Sequence, residues 1–333
     1  MNWQTCAVMT VAVAIAAGSA HGAEPAFRAN VLQTACYGEV AGAAGCCACG
    51  NDCDCCPSCE FTAGYLYMAR EYGRNSPLVS AASSGDTLIG MSDFEGDFES
   101  GFEVSGRWSR LEARYLQISS DAQDLAAASF GNQVTFQGDD YFSDIAVAYD
   151  TDLHSGEINL YCTDPCAVVR VKSGFRYLQL NEGIAGSFPG FTGVLFTETR
   201  NELYGLQLGV DADLWARPCS CFSLVATSKA GVYFADTRLD SFPNAAGAVT
   251  LGSTADSSER GAFVGELGLL ARVRVMDCLT VDAGYNLMLI TGVALAGDQS
   301  QAIDMQPFQP ATSSIQNGEV LYHGLTARAT LSF

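Results

Sequence analysis

The chain has 333 residues, of which 48% are hydrophobic and only 16% are charged. Its net charge of −20 argues against nucleic-acid binding, which depends on a basic surface. No internal apolar run reaches the roughly 18 residues that a transmembrane helix needs. The composition therefore favours a transmembrane β-barrel, in which apolar residues occupy alternate positions along each strand.

Residues 1–23 have the features of a secretory signal peptide. An apolar core, Ala7–Ala17, is followed by small residues that allow cleavage after Ala20, Gly22 or Ala23. No Lys or Arg precedes the core, so a retained anchor is the alternative, although the core is short for a span. Export agrees with the cysteine supply, because 14 Cys beside only 3 His fit an oxidising compartment better than a cytosolic zinc protein.

Residues 24–60 form a cysteine-rich leader. Its cysteines are Cys36, Cys46, Cys47, Cys49, Cys53, Cys55, Cys56 and Cys59. The segment has almost no large apolar residues, so it cannot build a core of its own. It must be cross-linked, metal-loaded or disordered.

Residues 61–333 contain ten segments in which apolar and polar residues alternate, as in strands with one face in lipid. We predict strands at 61–69, 102–104, 111–115, 141–162, 169–177, 206–214, 222–234, 263–275, 279–289 and 319–333. The last segment ends on Phe333, which resembles the terminal assembly signal of bacterial outer-membrane barrels. An amphipathic strand in a soluble sandwich is the alternative interpretation.

The predicted connections alternate in length. Short turns fall near 107–110, 162–166, 216–221 and 276–278, and long loops near 72–95, 120–140, 181–198, 238–259 and 294–318. Outer-membrane barrels have short periplasmic turns and long extracellular loops. Both ends of the barrel then lie on the short-turn side, which requires an even strand number. Ten satisfies this condition, within a range of eight to twelve, and twelve requires a hairpin hidden in 141–162 or in a long loop.

Charged side chains occupy the face opposite the apolar one. They are Glu112, Arg114, Arg170, Lys172, Arg176, Asp211, Asp213, Lys229, Glu266, Arg272, Arg274, Asp282 and Arg328. Each would cost about 2–4 kcal/mol near the middle of the membrane on the lipid face, so they are predicted to point inward and line a lumen. A turn near Asp277 places Arg272 opposite Asp282. Because a ten-stranded lumen is narrow, these charges either set the selectivity of a pore or plug it.

Several short motifs resemble the Legionella-type major outer membrane protein family, in the version found in planctomycete bacteria. They are Gly174–Glu182, Asn201–Gly209, Ala283–Leu287 with Gly292–Ala296, and Tyr322–Leu325. The resemblance covers roughly residues 61–333 and implies a pore-forming outer-membrane barrel. It brings no catalytic residues, and the cysteine-rich leader lies outside it.

The downstream cysteines all fall at predicted short turns. They are Cys162, Cys166, Cys219, Cys221 and Cys278. The topology thus gathers all 13 cysteines of the mature chain at the periplasmic side, where we predict disulfides to the barrel rim or to neighbouring proteins. An odd number leaves at least one thiol free or intermolecular. Soft-metal binding is the alternative, since Cys53, Cys56 and Cys59 have zinc-like spacing.

No catalytic signature is present, and neither an enzyme, a cofactor nor a metal centre is predicted. Asp150, Asp152 and His154 raise the comparison with barrel proteases that use Asp and His at the outer rim, but a solvated loop is the preferred interpretation. His323 is expected near an outer aromatic girdle. Acidic loop residues either attract divalent cations or form a solvated surface: Asp86, Asp93, Glu95, Asp97, Asp139 and Asp140.

The sequence therefore predicts an all-β, closed antiparallel transmembrane barrel in the bacterial outer membrane, with its leader in the periplasm. A pore for small polar solutes is the first functional prediction. A non-conducting envelope protein cross-linked through its cysteines is the second, and a soluble secreted β-domain the third. The expected partners are outer-membrane lipid, the barrel-assembly machinery through Phe333, and other envelope proteins through disulfides.

Overall fold

The structure of the protein is a computed structural model. The described residues are 57, 59–94, 98–120, 123–127, 133–137, 139–188, 193–216, 221–245, 254–302 and 315–333. The predicted signal peptide and most of the leader, including Cys36 to Cys56, lie outside them, as do Glu95, Asp97 and Cys219.

Ten long strands build the main body. They are β1 (Cys59–Tyr72), β4 (Phe98–Trp108), β5 (Leu111–Ser119), β9 (Ile145–Tyr161), β10 (Val169–Ser187), β11 (Gly193–Ala216), β12 (Phe222–Ala245), β13 (Thr254–Met276), β14 (Leu279–Val293) and β15 (Gly318–Ser332). Smaller elements lie between them: β2 (Pro77–Ala81), β3 (Thr87–Gly90), a 3₁₀ helix (Met91–Phe94), β6 (Gln123–Ala127), β7 (Val134–Phe136), β8 (Asp139–Tyr141) and α1 (Ala296–Ala302).

The ten long strands close into an antiparallel barrel. Each strand pairs with the next long strand along the chain, and β15 pairs with β1. At the seam, the Cys59 amide donates to the Phe333 carbonyl at 3.2 Å, and the Phe333 amide returns a bond of 2.8 Å to Cys59. Residues 141–162 hold the single barrel strand β9 and no hidden hairpin, so the prediction of ten strands is confirmed.

The outer surface carries an apolar band. On β11, Leu206, Leu208 and Leu214 face outward and are 68%, 64% and 59% exposed. Above Tyr204 the outward residues of the same strand become Glu202, Arg200 and Glu198. The eleven residues from Tyr204 to Leu214 span about 25 Å at the usual barrel tilt, which matches the apolar band of outer-membrane barrels.

Aromatic side chains mark the upper edge of this band. They are Tyr65, Tyr67, Phe98, Tyr204, Phe234, Phe263 and Tyr285, all facing outward. Such a girdle is typical of the membrane–water interface. None of the described helices is long and apolar enough to cross a membrane.

Two of the five predicted long loops are wrong. Residues 181–198 belong mostly to β10 and β11, and residues 238–259 belong mostly to β12 and β13. Strand pairing continues above the apolar band because it needs only backbone partners, whereas the alternation of apolar outward residues stops there. The sequence signal that defines a membrane strand therefore ends earlier than the strand itself.

The remaining long connections fold over one end of the barrel, the long-loop end. A four-stranded sheet of order β3-β2-β7-β8 lies there, and β6 pairs with the upper part of β9. These elements enclose a second apolar core with the extended strands, which includes Phe94, Phe136, Ile184 and Leu239. The opposite, short-turn end carries Cys59, Phe333 and the tight connections.

Candidate functional site: the barrel interior

The predicted lumen residues share the inward face, and most of them surround one cavity. A cavity of about 1140 Å³ opens at the short-turn end, where Pro57, Cys166, Cys221 and Phe333 line it. We call it the vestibule. Twelve of the thirteen predicted residues line the vestibule, whereas Arg176 is 1% exposed and lies deeper in the barrel.

The vestibule wall has no excess charge. Its eight cationic residues are Arg107, Arg114, Arg170, Lys172, Lys229, Arg272, Arg274 and Arg328. Its eight anionic residues are Glu60, Glu103, Glu112, Asp211, Asp213, Glu266, Asp277 and Asp282. The chain as a whole carries a net charge of −20, so this interior differs sharply from the rest of the protein and creates no single-sign field.

Arg114 is the centre of the deepest ion-pair network. Its guanidinium lies 2.9 Å from Glu103, 2.9 Å from Glu157 and 3.1 Å from Glu266. Lys229 contacts Glu157 at 2.7 Å, so the central carboxylates are shared between cations from several strands. Side chains this well paired fill space rather than attract a solute.

Arg176 extends this network across the barrel. Its Nη1 donates to Glu266 at 2.5 Å, its Nε to Ser155 at 2.8 Å, and its Nη2 lies 3.4 Å from the Met288 sulfur. Glu266 and Met288 lie on β13 and β14, three and four strands away from β10. These contacts join distant parts of the wall through the lumen.

Nearer the short-turn end the pairs are more local. Lys172 lies 3.2 Å from Glu112 and 3.1 Å from Asp211. Arg170 binds Asp213 through two bonds of 3.1 and 3.0 Å. The pair predicted from the β13–β14 turn is present, with Arg272 donating to Asp282 at 2.8 and 3.0 Å.

An apolar layer closes the interior beyond the vestibule. It is one buried cluster, formed by Leu66, Met68, Leu116, Ile118, Leu153, Leu178, Leu180, Leu203, Tyr233, Ala235, Ala262, Val264, Met288, Ile290, Val293, Leu295, Val320 and Tyr322. Nine of the ten barrel strands contribute to it. Residues such as Leu178, Leu180 and Leu203 are completely buried, so the layer is packed like a protein core.

Sequence reasoning missed this layer, and it also missed Glu103, Glu157 and Asn159. The signal was available, because Leu178 and Leu180 share the inward parity of Lys172 and Arg176 on β10. Leu178 and Leu180 were not predicted to form a core because the inward face was expected to be polar along its whole length.

The segment after β14 folds into the long-loop end. The Asn201 side chain accepts a bond from the Ala294 amide and donates one to its carbonyl, both 2.8 Å long. Glu182 accepts the Ala296 amide at 2.6 Å and forms a buried ion pair with Arg70. These bonds hold α1 inside the mouth of the barrel.

The five described cysteines all lie at the short-turn end. Cys59 begins β1, Cys162 and Cys166 follow β9, Cys221 precedes β12, and Cys278 lies between β13 and β14. Cys162 carries an exposed free thiol, 3.6 Å from the Ser173 hydroxyl.

The acidic residues considered for catalysis or cation binding are placed elsewhere. Asp150, Asp152 and His154 belong to β9 rather than to a loop, and they face outward. His154 bonds Tyr115 at 2.7 Å and Asp152 at 2.5 Å. His323 also faces outward and bonds the Tyr285 hydroxyl of the girdle at 2.5 Å.

The described acidic loop residues engage local donors. Asp93 accepts the Gly90 amide at 2.8 Å, and Asp86 accepts the Ser84 hydroxyl at 2.6 Å. No group of three or more His, Cys, Asp or Glu able to hold a metal ion occurs within the described ranges.

Comparisons with known proteins add the following. No protein-family model matches the chain, and no curated protein sequence matches it. Among solved structures, the outer membrane protease OmpT from Escherichia coli is 9% identical, with 83% of this chain and 96% of that chain covered and a TM-score of 0.48. The translocator domain of the autotransporter NalP from Neisseria meningitidis is 11% identical, with coverages of 85% and 91% and a TM-score of 0.37. A mutant of the monoaromatic hydrocarbon channel TodX is 8% identical, with coverages of 83% and 91% and a TM-score of 0.31.

Proposed function

We propose that the protein is a structural, non-conducting β-barrel of the bacterial outer membrane. The observation that carries this proposal is the apolar layer, which joins nine strands across the interior in one buried cluster. A hydrated solute that crossed it would have to shed water without finding replacement hydrogen bonds. Burying a polar group in that way costs about 2–7 kcal/mol.

The ion pairs support the same proposal. Arg114 on β5 bonds Glu266 on β13, and these strands are opposite each other in the wall. A pore that selects by charge needs groups free to exchange with the solute, whereas Arg114 is engaged by three carboxylates. The bonds of Asn201 to Ala294 and of Glu182 to Ala296, the first residue of α1, add a second closure at the long-loop end.

The cysteines support a structural role because they can form disulfide bonds. The described cysteines lie at the short-turn end, where the leader meets β1 at Cys59, and this end faces the periplasm in barrels of this type. The periplasm allows disulfides. We propose that cysteines of the mature chain other than Cys162 join the leader to the rim and the barrel to neighbouring envelope proteins.

A pore for small polar solutes is the second candidate. The vestibule favours it, because twelve predicted residues line an open cavity of about 1140 Å³. Conduction then requires the apolar layer and the segment before α1 to move aside. The two candidates therefore differ in whether the wild-type protein conducts ions.

Planar-bilayer conductance tests the proposal. Wild-type protein is expected to give no channel steps, before or after reduction of its disulfides. A double variant, Leu178→Gly with Leu203→Gly, removes two paired, fully buried side chains from the layer and is expected to conduct. Leu206→Gly with Val232→Gly is the matched control, because these paired residues face lipid. Discrete steps from folded wild-type protein would support the pore instead.

Gel mobility tests the cross-linking part separately. Samples from the envelope are expected to show multimers without reductant that collapse with it. Identical mobility in both conditions, together with thirteen titratable thiols on the mature chain, would contradict it.

A further inference from the structure

The apolar band on the outer wall has very different heights on opposite sides. On β12 every outward residue from Phe222 to Phe234 except Ser228 is apolar, an interval of about 30 Å along the membrane normal. On β5 the apolar outward residues are Leu111, Ala113 and Tyr115 only, an interval of about 10 Å. The hydrocarbon-facing band of such barrels is about 25 Å tall, so β5 leaves part of it uncovered.

The neighbouring strand β9 repeats this pattern. Leu160 and Ile158 face outward at 53% and 58% exposure, and the outward residues beyond Gly156 are His154, Asp152 and Asp150. A tilt of the barrel in the membrane shifts the upper and lower limits of the hydrocarbon layer by the same amount along a given strand. Tilt therefore does not allow the short apolar intervals of β5 and β9 to cover the full hydrocarbon thickness. Polar side chains of β5 and β9 therefore fall at membrane depth.

These polar side chains form a row of two hydrogen-bonded groups, one on β5 and β9 and one on β10. Ser119 donates to Asp152 at 2.6 Å, and Gln117 donates to Ser119 at 3.0 Å. On β10, the Tyr177 hydroxyl donates to Gln179 at 3.1 Å. Each amide keeps a second N–H or a lone pair that acyl chains cannot satisfy.

A shallow depression lies beside this row. Gly156 faces outward between Tyr115 and Tyr177, which pair with it from both sides. A Cβ placed at Gly156 would meet no heavy atom within 4 Å. The next outward residue below Tyr115 is also small, Ala113, whereas Phe175 lies directly below Tyr177 and Ser173 follows it. At contacts between transmembrane helices, small residues allow close approach and polar side chains form hydrogen bonds across the contact, and this wall offers both kinds of residue.

We propose that this wall, formed by the outward residues of β5, β9 and the adjoining part of β10, is the contact face for a second copy of the chain. A two-fold axis brings the same patch against itself, which requires groups that complement their own kind. Gln117, Gln179 and Ser119 both donate and accept hydrogen bonds, and Asp152 stands beside His154. The second copy forms hydrogen bonds with the polar side chains, which lipid cannot do. It also shields them from the acyl chains where β5 and β9 have no apolar residues.

Photo-crosslinking in cells tests this proposal on the full chain. Two forms with different affinity tags are co-expressed, with benzoylphenylalanine at Gln117 in one strain and at Val232 in another. Val232 is outward and 71% exposed on β12, so it reports the lipid-facing side. With disulfides reduced, the product from Gln117 is expected to carry both tags and to exceed that from Val232 by at least about tenfold.

A pair of glycine variants provides the matched measurement. Gly156→Trp fills the depression and is expected to lower the dimer fraction in detergent by about tenfold in association constant. Gly261→Trp is the control, because Gly261 is outward on β13 and also has no atom within 4 Å of an added Cβ. If Gly156→Trp fails to fold, the crosslinking result stands alone as the test.

Three results overturn the proposal: equal yields from both positions, a product joining the chain to a different protein, or a wild-type monomer in both membranes and detergent. None of these bears on conductance, so the dimer and the closed lumen succeed or fail separately.

Discussion

Arg114 on β5 and Glu266 on β13 form an ion pair of 3.1 Å through the lumen. The two strands are five steps apart in either direction around the barrel, so the pair connects opposite walls. Backbone hydrogen bonds close the barrel wall. The Arg114–Glu266 ion pair and the ion pairs around it fill the lumen that the wall encloses. The inward charges therefore act on the stability of the barrel, whether or not a solute ever reaches them.

Replacing Arg114 with Met is expected to destabilise the barrel strongly. The change leaves Glu103, Glu157 and Glu266 buried without their shared cation, and breaking such a network by removing one partner costs about 3–5 kcal/mol. The measurement is the free energy of unfolding by urea in lipid vesicles.

Arg238→Met is the control for this prediction. Arg238 is also paired with a carboxylate, Asp236 at 3.8 Å, but its side chain is 62% exposed. Exposed pairs contribute about 0–1 kcal/mol. Equal losses from the two variants would show that the interior network does not stabilise the fold.

Leu208→Arg tests the placement of the apolar band. Leu208 faces outward in the middle of the band on β11, where a charged residue costs about 2–4 kcal/mol. Glu198→Arg lies on the same face of the same strand, above the girdle, and is expected to change the free energy of folding into vesicles by less than about 1 kcal/mol. A soluble domain would tolerate both variants in aqueous buffer, and its unfolding would not depend on lipid.

Much of the barrel was predictable because each membrane strand obeys one rule at every position. Charged side chains are unfavourable in lipid, so the uncharged alternate positions of β11 and β12 identify the outward face. Charged residues at the other positions, such as Arg176 and Asp282, are therefore predicted to face inward. The same rule places Arg272 opposite Asp282 once the turn is fixed. The rule ends at the membrane surface, which is why the upper ends of β10 to β13 were predicted as loops.

The state of the lumen was less predictable. An inward side chain meets other side chains rather than a uniform solvent, so parity alone does not tell whether it lines water or a packed core. Leu178 and Leu203 show this, because their burial depends on residues brought from nine strands. The closure by Ala294 and Ala296 was equally hidden, since it depends on backbone atoms that carry no sequence signal.

Asn201→Leu is expected to loosen the segment that enters the long-loop end. Asn201 satisfies both the amide and the carbonyl of Ala294, and its replacement leaves two buried backbone groups without those partners. Hydrogen exchange over 293–302 is expected to accelerate by about tenfold or more, whereas exchange of the barrel strands stays unchanged. Gln179→Leu, an outward change on β10, is the control. Unchanged protection over 293–302 in Asn201→Leu would show that other contacts hold the segment.

The orientation of the barrel can be read from Cys162. Its thiol is exposed and free at the short-turn end, directly after β9. We expect a membrane-impermeant maleimide to leave Cys162 unmodified in intact cells and to modify it once the outer membrane is permeabilised, with the modified peptide identified by mass spectrometry. Cysteine substituted at Ser84, in the turn between β2 and β3 of the long-loop sheet, is the opposite marker and is expected to react in intact cells. Reversal of the two patterns would place the short turns, and with them the cysteine-rich leader, on the outer surface.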